Sequence, residues 1–206
     1  MNWPRLFAGI VSAAAFAGLV IQLRDSTASY GSVGDATWEM ARYFTILTNL
    51  LVAIVFGGIA AGSSRLARNS VVTGVTMAIA LVGVIYHLLL AGLSPGGEAS
   101  LANLLLHTLS PVLAVAYWAF LSPKGGLSSR HAFIWCIYPL AYLPYALARG
   151  GTDGVYPYPF INVTQIGWAQ TGVNAAVITV LFLSVGLVVV WTDGRLGSVS
   201  RRQHSA

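Results

Sequence analysis

A chain of 206 residues that is 56% hydrophobic and only 8% charged lacks the balance of a water-soluble domain. Its net charge of +5 comes without any basic run interleaved with aromatics, which argues against a nucleic-acid surface. The single cysteine, Cys136, excludes an intramolecular disulfide and leaves the redox compartment open.

The apolar residues are gathered in blocks rather than in short periodic faces. About 20 such residues in a row span a bilayer as a helix, and six blocks of this kind occur, at 6–23, 43–61, 71–93, 101–121, 132–148 and 165–191. The expected fold is therefore all-α: a polytopic six-helix membrane bundle forming one domain over 1–206. The first block follows Arg5 and carries small residues around 12–17, partly like a signal peptide. Its long apolar run, with no tidy cleavage motif before a soluble region, marks it instead as an uncleaved helix. The sixth block is long enough to tilt or to extend into the cytosol.

Charge fixes the expected orientation. Arg5, Arg65, Arg68, Lys124, Arg130, Arg195, Arg201 and Arg202 fall on one side of the six blocks, and only Arg24, Arg42 and Arg149 on the other. The positive-inside rule places both termini in the cytoplasm and loops one, three and five outside, in the plasma membrane of a cell. The acids Asp35, Glu39, Glu98 and Asp153 fall in those outer loops, and Asp25 ends the first helix.

Taken in chain order, the polar interruptions then line up in depth. Thr45, Thr48 and Asn49 share one face of the second helix, roughly 5–10 Å below the outer boundary. His87, near the end of the third, lies at about 9 Å, and so does His107 on the fourth. Asn103 and His107 stand four apart, and Ser110 and Pro111 continue that face. Pro111 frees a backbone carbonyl one turn back, at or beside His107. An outward cavity walled by helices two to four is the economical picture, with a bland inner leaflet of small and aliphatic residues.

The fifth outer loop runs from Arg149 through Gly150, Gly151 and Gly154 to Tyr156-Pro157-Tyr158-Pro159-Phe160. Its glycines read as a flexible stem and its prolines as holding the following run extended. Tyr156 and Tyr158 could cover the cavity, with Arg149 meeting an anionic head group. The plainer reading of these aromatics is an interfacial belt. The other polar residues have plain readings too: threonines bond back to the i−4 carbonyl, and asparagines join helices.

Absences narrow the chemistry. No acid or base lies near a helix midpoint, against a proton-coupled carrier. No phosphate loop, zinc motif or nucleophile elbow occurs, and no metal or other cofactor is expected. What remains is a hydroxyl nucleophile with an imidazole base: Thr45 or Thr48 with His107 or His87. A neutral amide, Asn49 or Asn103, would orient the ring or hold an oxyanion.

The run Arg42-Tyr43-Phe44-Thr45-Ile46-Leu47-Thr48-Asn49, the pair His107-Thr108 followed by Pro111, and the Tyr-Pro-Tyr-Pro-Phe loop resemble the androgen-induced-protein family. That family includes the androgen-dependent TFPI-regulating proteins. Its animal members are six-helix membrane hydrolases of fatty acid esters of hydroxy fatty acids. The chain looks like a prokaryotic relative, so a bacterial inner membrane is implied. The resemblance implies Thr45 as nucleophile and His107 as its assistant. Asn49 falls one place later than the family's usual polar residue, Pro111 sits one place closer to the histidine, and His87 is particular to the prokaryotic branch. The expectation is a membrane-embedded threonine hydrolase acting on a lipid ester, with the bilayer itself as surroundings and source of substrate. Two other readings use the same layer: a non-catalytic binding or transport protein for a lipid or small molecule, and a haem protein with His87 and His107 as axial ligands.

Overall fold

The computed structural model describes residues 2–93 and 100–203, and Glu98 lies outside the described residues. Every regular element is helical, and no strand occurs among the described residues. The chain divides into two compact units, Met1–Pro123 and Lys124–Ala206.

The first unit begins with α1 (Trp3–Tyr30), started by Asn2 and Pro4 and ended by Gly31 in the left-handed conformation at φ 82°. This helix outruns its apolar block, and in the extension the Thr27 and Ser29 hydroxyls donate to the carbonyls of Leu23 and Asp25. A short helix follows that the hydropathy pattern does not announce, α2 (Val33–Met40), capped by Ser32. It meets α3 (Phe44–Ala60) at a bend of 97°. With 17 residues, α3 is about 26 Å long, short for a hydrocarbon core of about 30 Å. Among the described residues, five helices are long and apolar enough to cross a membrane, and the count becomes six only if the bent pair acts as one span.

α4 (Asn69–Ile85) leads directly into a π-helical turn, Tyr86–Leu90, and a 3-10 turn, Ala91–Leu93. The fourth block is helical over its whole expected length but not uniformly so. A single turn, α5 (Leu101–Asn103), passes into a π-helical stretch, Leu104–Leu109, and then into α6 (Ser110–Leu121). α1 packs chiefly on α3 and α4 on α6. Gly18 lets α1 approach the π stretch, since a Cβ there would come within 2.7 Å of the Leu106 side chain. The Ser12 hydroxyl donates to the Ala53 carbonyl at 2.8 Å, fastening α1 to α3.

The end of this unit remote from the histidines is not bland. Trp118 donates from its indole to Thr73, Thr73 donates to Asn69, and Ser122 reaches the same Asn69 oxygen at 3.2 Å. This network joins the start of α4 to the end of α6, replacing the expected lining of small and aliphatic side chains.

The second unit contains α7 (Ser129–Asp153), a 3-10 turn (Pro159–Ile161) and α8 (Val163–Gln203), which is interrupted at Gly167 by φ 75°. Asp193 on α8 is fully buried and accepts the main-chain N–H groups of Gly125 and Leu127, at 2.9 and 3.1 Å. Burial pushes the neighbouring Lys124 amine below the usual lysine range, while the Asp193 carboxylate pulls it back up. Asp193→Ala is expected to leave two part-buried donors without this acceptor, at a cost of about 1 kcal/mol. Thermal unfolding in detergent should show that loss, with a smaller one for Asp193→Asn, which keeps an acceptor oxygen.

Candidate functional site

The site is built outward from Pro111. In an α-helix the Leu106 carbonyl would receive the N–H of Ser110, but that N–H donates one residue further back, to Leu105. The next candidate donor is Pro111, which has no N–H. The Leu106 carbonyl therefore turns to a side chain. Asn49 on α3 donates from Nδ2 to it at 3.1 Å, and to the Thr45 carbonyl at 2.9 Å. The carbonyl freed by Pro111 is thus the one beside His107. The amide that satisfies it ties the helix of Thr45 to the π stretch of His107.

This bond also corrects a role. Both N–H groups of the Asn49 amide are committed to carbonyls, so Asn49 has no donor left for an oxyanion. What Asn49 keeps is its Oδ1, fully buried and without a hydrogen-bond partner among the described residues. The hydroxyl of Ser110 is in the same condition.

The two histidines lie in separate π turns that meet side by side. The His107 ring stacks on Tyr86, with centroids 3.9 Å apart and planes 19° from parallel. His87 lies 3.0 Å through Nε2 from the Thr108 hydroxyl. Gly83 allows this approach, because a Cβ there would lie 3.1 Å from both the His107 carbonyl oxygen and Pro111. His87 itself is exposed, whereas Asn49 and Ser110 are fully buried. A haem held by both rings would have to displace the Thr108 contact of one and enter beside the stacked tyrosine of the other. The pair does not fit that group. Among the described residues, no cluster of three or more His, Cys, Asp or Glu could hold a metal ion.

Thr45 and Thr48 are both buried, Thr48 completely. Thr45 occupies the first turn of α3, whose N-terminus carries no side-chain cap. Immediately before it, Arg42 is fully buried and holds Glu39 through two bonds, Nε to Oε2 at 3.1 Å and Nη2 to Oε1 at 2.9 Å. Counting Arg42 only as an outer-side charge overlooks this pair, although an acid three residues before a base is its signature. Tyr86, the ring against His107, is the other residue that depth alone does not single out. Asn103 is half-buried at the head of its helix, where its N–H donates to the Ser100 hydroxyl.

The remaining expected site residues belong to the second unit. Arg149 is buried within α7, donates to the Tyr145 hydroxyl at 3.2 Å and lies over that ring. These contacts of its guanidinium lie inside its own unit. The glycine stem is not a flexible loop: Gly150 and Gly151 are helical, and a Cβ on Gly150 would overlap the Tyr156 ring. Tyr158 is buried and extended, stacked on Phe160 at 5.1 Å, and the segment after it is a 3-10 turn rather than an extended run.

No family model matches the chain, and neither does any curated protein or solved structure. The likeness to the androgen-induced-protein family accordingly rests on the short motifs alone.

The Pro111–Leu106–Asn49 linkage predicts a particular non-additivity. Asn49→Leu strands the Leu106 carbonyl and should cost about 1–3 kcal/mol of stability. Pro111→Ala restores an N–H to the helix, so in that background the same substitution should cost at least ~1 kcal/mol less. Equal costs in the two backgrounds, measured by thermal or denaturant unfolding, would show that Pro111 does not set the role of Asn49.

Proposed function

We propose that this chain is an integral-membrane ester hydrolase in which Thr45 is the nucleophile and His107 the general base. The observation that carries the reading is the buried Asn49 amide, which links the Thr45 carbonyl to that of Leu106, the residue before His107. The proposed topology has six spans, with α2 and α3 together forming the second, and both termini in the cytoplasm of a bacterium. It rests on the distribution of Lys and Arg.

In the proposed reaction the Thr45 hydroxyl oxygen attacks the carbonyl carbon of a lipid ester as His107 takes its proton. The oxyanion forms in the first turn of α3, where the helix dipole favours negative charge. Collapse of the intermediate expels the alcohol, which recovers the proton from His107 and leaves an acyl-Thr45 ester. Water, deprotonated by the same imidazole, then releases the fatty acid. The ester of a bilayer lipid, or of a fatty acid linked to a hydroxy fatty acid, lies at the shallow depth that the sequence assigns to Thr45.

Two measurements check this. Purified protein should react with a fluorophosphonate probe and hydrolyse a fatty acyl ester of a hydroxy fatty acid. Thr45→Ala should abolish both, and His107→Ala should lower the rate by about 10²-fold or more. Labelling that survives both substitutions would defeat the mechanism. Loss in Thr48→Ala but not in Thr45→Ala would move the nucleophile one turn along. Binding of the lipid without turnover in any variant would leave a carrier or receptor. For the topology, a cysteine introduced at Gly126 in a Cys136→Ser background should resist an impermeant maleimide in intact cells. One at Thr152 should be labelled.

A further inference from the structure

We propose that Tyr86 is a positioning residue for His107: its ring sets the plane of the imidazole, while the main chain of Asn103 prevents the half-turn that would exchange the two nitrogens. The proposal deepens the hydrolase reading and rests on it, since a base works only when its free nitrogen is held in one direction.

The torsion that turns an imidazole about its Cβ is broad and roughly two-fold, so a histidine by itself does not choose a ring plane sharply. The rest of the π stretch Leu104–Leu109 consists of leucines and Thr108 and offers His107 no flat face. Tyr86 supplies one from the neighbouring π turn. The two ring centroids are 3.9 Å apart and the planes 19° from parallel. An edge-on arrangement needs centroids about 5 Å apart. The imidazole therefore cannot leave this plane unless Tyr86 gives way.

A stack alone leaves one ambiguity. A half-turn returns the imidazole to the same plane with Nδ1 and Nε2 on opposite edges, and the two nitrogens are not equivalent. The hydrogen bond between the His107 ring and the main chain of Asn103, four residues back, removes it. One nitrogen is committed there, and the other takes the Thr45 proton. In a serine hydrolase a buried carboxylate does this orienting. An aromatic face and a main-chain atom do it without a charge, which suits a site in hydrocarbon.

Tyr86 is itself held. It is buried, and His87 stands edge-on to it, with centroids 5.2 Å apart and planes at 82°. His87 in turn lies 3.0 Å from the Thr108 hydroxyl, and Thr108 follows His107 in the chain. The four residues close a circuit across the two π turns, and the exposed His87 acts in it as a buttress for Tyr86. Gly83 sets the spacing of those turns, since a Cβ there would lie 3.1 Å from the His107 carbonyl oxygen.

The test uses the full-length protein in nanodiscs with isotope-labelled histidine. The carbon-bound ring protons of His107, identified by their loss in His107→Ala, are expected upfield of a free imidazole because they lie over the Tyr86 face. Tyr86→Leu should abolish that shift and lower kcat for a fatty acyl ester of a hydroxy fatty acid by about 10- to 100-fold at unchanged KM. Tyr86→Phe retains the ring face, so it should keep the shift and hold kcat within about twofold of the wild type. Should Tyr86→Leu fail to fold, Gly83→Ala moves the turns apart by a few tenths of an ångström and should shift both readouts in the same directions by less. An unchanged kcat in Tyr86→Leu overturns the proposal and leaves Thr45 and His107 as the reacting pair. So does a loss in Tyr86→Phe as large as in Tyr86→Leu, which would transfer the role from the ring face to the phenol hydroxyl. Unshifted ring protons in the wild type overturn the stack itself. A shifted wild type that turns over no ester defeats the hydrolase reading, and the positioning role with it, while showing the stack intact.

Discussion

The polar architecture of the first unit depends on one missing hydrogen. Pro111 has no N–H, and within an apolar bundle no bulk solvent stands ready to take the place of a lost main-chain donor. The helix responds in two ways. Upstream it widens into a π stretch, moving the Ser110 N–H back to Leu105. The Leu106 carbonyl is then satisfied from another helix, by the buried amide of Asn49. An interhelical bond of this kind contributes modestly in membranes, about 0.6 kcal/mol on average, because alternatives usually exist. Here the proline removes the nearest alternative, so the same bond also fixes register between α3 and the π stretch.

The π turns explain how adjacent residues do different work at one interface. In a regular helix, consecutive side chains point about 100° apart, and only one of a pair can face a given neighbour well. Widening the turn changes this. Tyr86 stacks on His107 while His87 bonds Thr108, so two consecutive residues on each side engage two consecutive residues on the other. Gly83 contributes the clearance, and the result holds the His107 ring against a flat aromatic face instead of leaving it free to rotate. Single π turns of this type concentrate at functional sites because they re-aim side chains that a regular helix would misdirect.

What could be read from the sequence follows from whether the physics is local in the chain. The apolar blocks located the long helices, since hydrocarbon thickness sets a length that composition reveals directly. Pro111 announced a freed carbonyl within one residue of the right place, because the loss of its N–H is a covalent fact. The 97° bend at residues 41–43 was hidden, as nothing in a hydropathy profile separates a broken helix from a loop. The glycines after Arg149 were misleading for a related reason. Glycine permits flexibility but also permits close approach, and only the Tyr156 ring packed on Gly150 reveals which property is used. The burial of Arg149 and of Arg42 likewise depends on partners that position in the chain suggests but does not fix.

The bend bears most directly on the chemistry open to Thr45. Were α2 and α3 continuous, Thr45 would sit in mid-helix, with its N–H bonded to a carbonyl four residues back and no dipole terminus nearby. Breaking the helix at residues 41–43 turns the same residue into part of a helix start, where negative charge is favoured. The break needs something to hold it, and the completely buried Arg42 with its two bonds to Glu39 spans this segment. A half-buried ion pair is a poor source of net stability, since the buried guanidinium loses its hydration. It is a good source of geometry, because a guanidinium and a carboxylate joined in this way tolerate few arrangements. The value of Arg42 and Glu39 to the fold thus lies in keeping α3 beginning at Phe44, and Thr45 in its first turn.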